Sequence, residues 1–303
     1  MNLDRHARRS LLLLGAWMVS YVFVFWLVYE VTVRTTYGRL FADASLRGAV
    51  LTQARTEGLV DKALGIITVA SLAAAVAVIA TIALLRLRRG PGLAAIGVLV
   101  AANLSAQVLK GLLERPDLGL RESAPATLNS LPGGHSTAAF SVGVALMLVV
   151  PPKTRNAVAT GAGVYACVVA LATMAAGWHR PADSVTAFLL VGFWAGIAIV
   201  AQAVFARDDL EERGPEGPPR WFLRPQLKAP FALGLLALML VTPLVVATPV
   251  RQSGVGQALA FATGAIVMVG TAVVVLMLLL ELIDRVAPRE AEPRRSRSDS
   301  RPQ

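Results

Sequence analysis

The sequence of 303 residues predicts an all-α, polytopic membrane helical bundle of about eight spans. Three observations predict it. Hydrophobic residues make up 55% of the chain and mean hydropathy is +0.62, above the apolar share of about 45–50% in ordinary soluble domains. The apolar residues fall in blocks of roughly 17–25, the length at which a helix crosses a bilayer. The basic residues behind the net charge of +10 sit in loops and tails between those blocks, as the positive-inside effect requires. They form no continuous stripe, so nucleic acid is not an expected partner. The one cysteine, Cys167, lies inside an apolar block and rules out an intrachain disulfide.

The first span is read at Leu11–Val33, after Arg5, Arg8 and Arg9. A signal peptide starts in the same way, but this apolar stretch is longer and no small-x-small site follows, so the span is expected to be retained. The segment Arg34–Lys62 carries Leu46, Val50, Leu51 and Ala54 at helical spacing. It fits either an amphipathic helix capping the outer face or a solvated loop with some interfacial helix, and the solvated loop is the simpler reading. Spans two to six are read at Ala63–Leu85, Gly92–Leu113, Ser136–Val150, Ala157–Ala176 and Ser184–Phe205. A polar, Pro-rich linker, Ala206–Ala229, precedes spans at Pro230–Ala247 and Ala258–Ile283. The Arg/Ser/Pro-rich tail from Pro288 to Gln303 has the composition of a disordered segment. By domain, residues 1–206 form a six-span core, 207–229 a cytoplasmic linker, 230–284 two additional transmembrane helices and 285–303 a basic tail.

Lys and Arg in the short loops orient the bundle. With the N-terminus inside, the inner segments hold Arg86, Arg88, Arg89, Lys153 and Arg155, the linker and the tail, and 19 of the 29 basic residues in all. Lys110, Arg115, His135, His179 and Asp183 then fall together on the outer side of a plasma membrane. None of them entered the choice of topology.

Three motifs carry the chemistry. In Pro132-Gly133-Gly134-His135-Ser136, two glycines lead into an apolar helix and let the backbone approach a ligand closely. The first N–H groups of that helix make an anion site, with His135 at its edge as a general acid. A plain helix start accounts for the glycines and Ser136, but not for the histidine. In His179-Arg180-Pro181-Ala182-Asp183, Pro181 is suited to the first helical position. Asp183 in the first turn can then orient His179 through one ring nitrogen and leave the other to attack. The bland reading is an acidic residue favouring the helix dipole beside a chance histidine. In Lys110-Gly-Leu-Leu-Glu-Arg115-Pro116, two cations end a span on the side that the positive-inside trend leaves poor in them. Arg suits bidentate phosphate contact and Lys a point charge; an ordinary basic span end is the alternative.

Other chemistries fit less well. A zinc site would leave Lys110 and Arg115 unexplained, and there is no His-Glu-x-x-His, Cys pair or nearby third histidine. No P-loop or dinucleotide fingerprint is present. A transporter would place its ionisable groups at midplane in inverted repeats; here they sit at span ends.

Taken in order, the three motifs resemble those of the type 2 phosphatidic acid phosphatase family, the membrane branch of the histidine phosphatase and vanadium haloperoxidase superfamily. Its pattern is K-x-x-x-x-x-x-R-P, then P-S-G-H, then S-R-x-x-x-x-x-H-x-x-x-D, and the resemblance covers roughly Ala63 to Phe205. It implies a six-span phosphatase core with the site on the outer face. His179 resembles the nucleophile, Asp183 its orienter and His135 the leaving-group acid. Lys110 and Arg115 resemble phosphate ligands, together with the backbone at Gly133 and Gly134. The departures are Asp117 in the arginine slot of the first motif, Gly133 for serine in the second, and Ala172-Thr173 for Ser-Arg in the third. Arg180 or Arg121 is the expected substitute for the lost phosphate-binding cation. The function so implied is hydrolysis of a lipid phosphate monoester or polyprenyl pyrophosphate through a phosphohistidine, with no metal or other cofactor. Membrane lipids and the lipid phosphate or pyrophosphate substrate are the expected partners. The alternative is a degenerate, non-catalytic member that binds lipid phosphate or a protein.

Overall fold

A computed structural model describes residues 5–49, 69–85, 89–120, 129–205, 234 and 253–286. Among the described residues the regular structure is entirely helical. We number the helices α1 (Arg5–Val33), α2 (36–49), α3 (Val69–Leu85), α4 (Arg89–Leu112), α5 (Gly134–Val149), α6 (Pro152–Ala175), α7 (Pro181–Phe205) and α8 (Gly254–Val286). Five of them, α1, α4, α6, α7 and α8, are long and apolar enough to cross a membrane, and α5 is a shorter apolar helix. The chain is a polytopic helical membrane bundle. The eight helices among the described residues are not the eight expected spans, because α2 is an addition and, residue 234 apart, the expected span at 230–247 lies outside the described residues. So do the linker and the tail.

Two helices start ahead of their apolar windows. α6 starts at Pro152, five residues before the expected Ala157, because proline at the first helical position gives up an N–H that has no partner there. α7 starts in the same way at Pro181. The end of α6 is a Schellman motif. Gly177 takes φ 75°, its N–H donates to Met174 O at 3.0 Å, and the N–H of Trp178 donates to Thr173 O at 2.9 Å.

α7 is the central helix and packs against α1, α4, α5 and α8; α6 bridges α5 and α8, and α3 lies on α4 and α5. Phe140 and Phe188 meet at 4.8 Å between ring centroids in the middle of the core. Between apolar helices in lipid, association depends on close packing and interhelical hydrogen bonds. Both are present. Asn103 Nδ2 donates to Ser141 Oγ at 3.0 Å (α4 to α5), Trp194 Nε1 to Ser105 Oγ at 3.0 Å (α7 to α4), and Trp17 Nε1 to Gly192 O at 3.1 Å (α1 to α7). A Cβ on Gly143 would come within 2.4 Å of Ala162 Cβ, so α5 and α6 touch nearly backbone to backbone.

The solvated-loop reading of Arg34–Lys62 does not hold for 36–49. This stretch is a helix with Phe41, Ala42, Ala44, Leu46 and Ala49 buried. Ser45 donates to Ala260 O at 3.1 Å, and Phe41 and Ala42 line a crevice with Pro181 and Gly264. α2 therefore covers the start of α7 and the side of α8. Val50, Leu51 and Ala54 lie outside the described residues. The last expected span, one of the two whose role the sequence left open, packs on the core as α8. A Cβ on Gly264 would stand 2.6 Å from Pro181 Cγ.

Candidate active site

Three helix ends meet at one end of the bundle. α4 brings Lys110 in its last turn, where a cation complements the helix dipole. α5 brings Gly133 as N-cap and His135 in its first turn, with no side chain capping it. α7 brings Asp183 in its first turn, with His179 two residues ahead of the helix. The N-termini of α5 and α7 converge, and the opening N–H groups of a helix have no intrahelical acceptor, so this end presents donors and positive potential toward an anion.

His179 is placed by its backbone. Its N–H and that of Trp178 both donate to Thr173 O, at 3.2 and 2.9 Å. The Gly177 turn thus delivers the imidazole from the end of α6 to the start of α7. His179 Nδ1 faces Asp183 Oδ2 at 3.4 Å, both groups being buried. This is ion-pair distance rather than a formed hydrogen bond, and among the described residues Nδ1 has no other acceptor. With Nδ1 turned to the carboxylate, Nε2 faces the opposite way. The His135 ring stands 5.8 Å from the His179 ring between centroids and 5.6 Å from the half-exposed Trp178 ring.

Asp183 is held from several sides. Its Oδ2 accepts from Ser130 Oγ at 2.5 Å and from the Arg180 N–H at 2.9 Å, and Arg180 Nη1 donates to Ser130 Oγ at 3.3 Å. The Gly133 N–H donates to Asp183 O at 2.8 Å and so ties the second motif to the third. A Cβ on Gly133 would fit tightly, 3.2 Å from that carbonyl oxygen. A Cβ on Gly134 would meet Lys110 Nζ at 3.1 Å, which places the ammonium directly over the start of α5.

The structure thus brings together Lys110, Gly133, Gly134, His135, His179, Arg180 and Asp183. Arg115 lies at the same end, and its backbone is pinned on either side: Tyr29 Oη donates to Glu114 O at 2.6 Å and Arg39 Nη1 to Pro116 O at 2.9 Å. Asp117, in the slot where the resembling family has arginine, accepts from Gly119 N at 2.9 Å and serves its own loop. Thr173, in the other arginine slot, is fully buried and donates to Ala170 O at 2.9 Å. Arg121 lies outside the described residues. Among those described, no three His, Cys, Asp or Glu side chains gather as a metal site would need.

Sequence reasoning missed Ser130, Trp178 and Asn129. Asn129 Nδ2 donates to Leu113 O at 2.8 Å and so holds the end of α4 against the second motif. All three lie within six residues of a motif histidine, and nearness of that kind was the only available signal. Beside the cluster, α1, α4 and α7 leave an apolar groove of about 500 Å³, walled by Trp26, Leu109, Leu113, Leu190 and Phe193.

A buried carboxylate, an imidazole facing it, a second imidazole and a cation over a helix start are thus gathered at one end of the helical bundle. Residues 91–207, which run from α4 through α7 and hold every motif, match the family model of the PAP2 superfamily. Over this segment the chain is similar to the PAP2 superfamily, consistent with a resemblance to the type 2 phosphatidic acid phosphatase family. The match starts later than the expected Ala63, so α3 lies outside it. With the apolar helices it supports a membrane protein of a phosphatase family. No curated protein and no solved structure matches the chain.

Proposed function

We propose that the chain is an integral membrane phosphatase that hydrolyses a lipid phosphate monoester or a polyprenyl pyrophosphate at the outer membrane face. The observation that carries this reading is the pair of imidazoles 5.8 Å apart, one of them backed by a buried aspartate. Simple binding of a phosphate would need neither the second imidazole nor an oriented tautomer of the first.

His179 Nε2 attacks phosphorus while Nδ1 keeps its proton toward Asp183. The bond from phosphorus to the leaving oxygen breaks, and His135 supplies that oxygen with a proton. Water then attacks the phosphohistidine, gives its proton back to His135, and releases phosphate and free His179. Lys110, with Arg115 at the same end, and the N–H groups that follow Gly133 balance the charge on the equatorial oxygens.

The groove between α1, α4 and α7 supports a lipid as substrate. Its lining includes Leu109, next to Lys110 on α4, and Leu113, just past the end of that helix, so a tail can lie in it while the headgroup reaches the ammonium. The arginine-bearing linker and tail favour cytoplasmic termini and hence an outward site.

Phosphate release by the detergent-purified chain tests the proposal, with EDTA present, a panel of lipid phosphates and pyrophosphates as substrates, and His179→Ala as control. Turnover that survives EDTA and vanishes in His179→Ala is expected. A folded protein that turns over no member of the panel favours the non-catalytic binder, for which the buried Thr173 in place of a cation is the specific argument.

A further inference from the structure

Arg180 immediately follows the candidate nucleophile, and its side chain is 7% exposed. Its Nη1 donates to Ser130 Oγ at 3.3 Å, and Ser130 Oγ lies 2.5 Å from Asp183 Oδ2. A hydroxyl has one proton and two lone pairs, a guanidinium only donates, and an ionised carboxylate only accepts. The directions are therefore settled: the guanidinium donates to Ser130, and Ser130 donates to Asp183. The Arg180 N–H reaches the same carboxylate oxygen at 2.9 Å, and His179 Nδ1 lies on it at 3.4 Å. The chain of groups runs cation, hydroxyl, carboxylate, imidazole, and all of its contacts to Asp183 fall on the single atom Oδ2.

We propose that Arg180 acts through Ser130 as the charge anchor of Asp183, and so as a positioning residue for His179, rather than as a ligand of the substrate phosphate. A carboxylate that is 2% exposed is costly to keep ionised unless it is paired and hydrogen-bonded. The guanidinium, one hydroxyl away, supplies the countercharge through Ser130. The carboxylate then stays ionised, and the Nδ1 proton stays between it and the ring. Ser130 lies 53 residues from Asp183, so this link also clamps the loop before α5 onto the start of α7. The cation replacing the arginine lost at Thr173 thus serves the orienting carboxylate, and phosphate charge is left to Lys110, Arg115 and the helix N-termini.

The kinetic arm of the test rests on the phosphatase reading; the spectroscopic arm does not. The chain has only His6, His135 and His179, so protein labelled with ¹⁵N in its imidazoles gives three resolvable sets of signals in detergent, assigned with His135→Ala and His179→Ala. Ser130→Ala and Arg180→Gln are each expected to move the His179 signals toward a mixture of tautomers while moving those of His135 far less. The double variant should move them no further than the larger single change, because both residues act on one chain. Arg180→Lys, which keeps the charge, is expected to bring the signals back toward wild type. In turnover, each single variant should lower kcat about tenfold, the scale seen when a group orienting a functional histidine is removed. Inhibition by inorganic phosphate should stay unchanged. His179 signals that hold their wild-type positions in both single variants overturn the proposal. So does weaker inhibition by phosphate in Arg180→Gln with kcat intact, the behaviour of a direct phosphate ligand. A protein without turnover whose His179 signals move as stated keeps the anchor and removes the phosphatase reading.

Discussion

At the scale of single residues, neighbours decide what each motif position tolerates. A Cβ on Gly134 would meet the mobile end of Lys110, whereas one on Gly133 would meet the fixed carbonyl of Asp183. Gly134→Ala is therefore expected to push the ammonium aside, raising KM for a phosphate substrate severalfold while leaving thermal stability close to wild type. Gly133→Ala should lower stability and kcat together, because backbone must shift. Steady-state kinetics and a melting curve on the two variants separate these outcomes. Asp183→Asn keeps the shape of the side chain and removes its charge; loss of an orienting carboxylate costs on the order of 10⁴-fold in kcat where it fixes the tautomer of a catalytic histidine, and a similar loss measured in single turnover is expected here. The sequence made His135, His179, Asp183 and Lys110 legible as a group, because each is a residue type that a membrane span end does not need. It did not reveal Ser130, since nothing local marks a serine whose partner lies 53 residues away.

At the scale of elements, the connection from α6 to α7 does the positioning. Gly177 at φ 75° closes α6, Pro181 opens α7, and His179 sits between them with its N–H on Thr173 O. An L side chain in that left-handed conformation costs roughly 1–2 kcal/mol, so Gly177→Ala should lower the melting temperature in detergent and reduce kcat through a displaced His179. An unchanged kcat in that variant would mean that the turn does not place the ring. The start of α7 was readable from Pro181 alone. The burial of α2 was not, because Arg39, Asp43 and Arg47 interrupt its apolar face and make it look like a solvated segment. In the fold those charges have partners: Arg47 Nε pairs with Asp43 Oδ2 at 2.9 Å within the helix, and Arg39 reaches Pro116 O in the loop after α4.

At the scale of the whole molecule, the site depends on helices beyond the segment that matches the superfamily. α8 lies outside residues 91–207, yet its Gly264 packs on Pro181, the first residue of α7. Gly264→Leu should force the two helices apart at that point and depress activity along with melting temperature, although residue 264 touches none of the candidate catalytic groups. A melting curve and kcat for this variant, compared with those for Gly161→Leu, which meets open space, check the claim. The apolar blocks made the helical membrane class legible; the contact of α8 with α7 was not, since it joins residues far apart in sequence through small side chains that carry no pattern. The central claim is that His179 carries the phosphoryl group. The most direct measurement uses an aryl phosphate, whose leaving group needs little protonation, with the His135→Ala variant, which lacks the proposed acceptor of the water proton. Rapid quenching and peptide mapping should find phosphate accumulating on the peptide that contains His179, and none in His179→Ala. Turnover of the same substrate with no phosphate on His179 at any quench time would contradict the account.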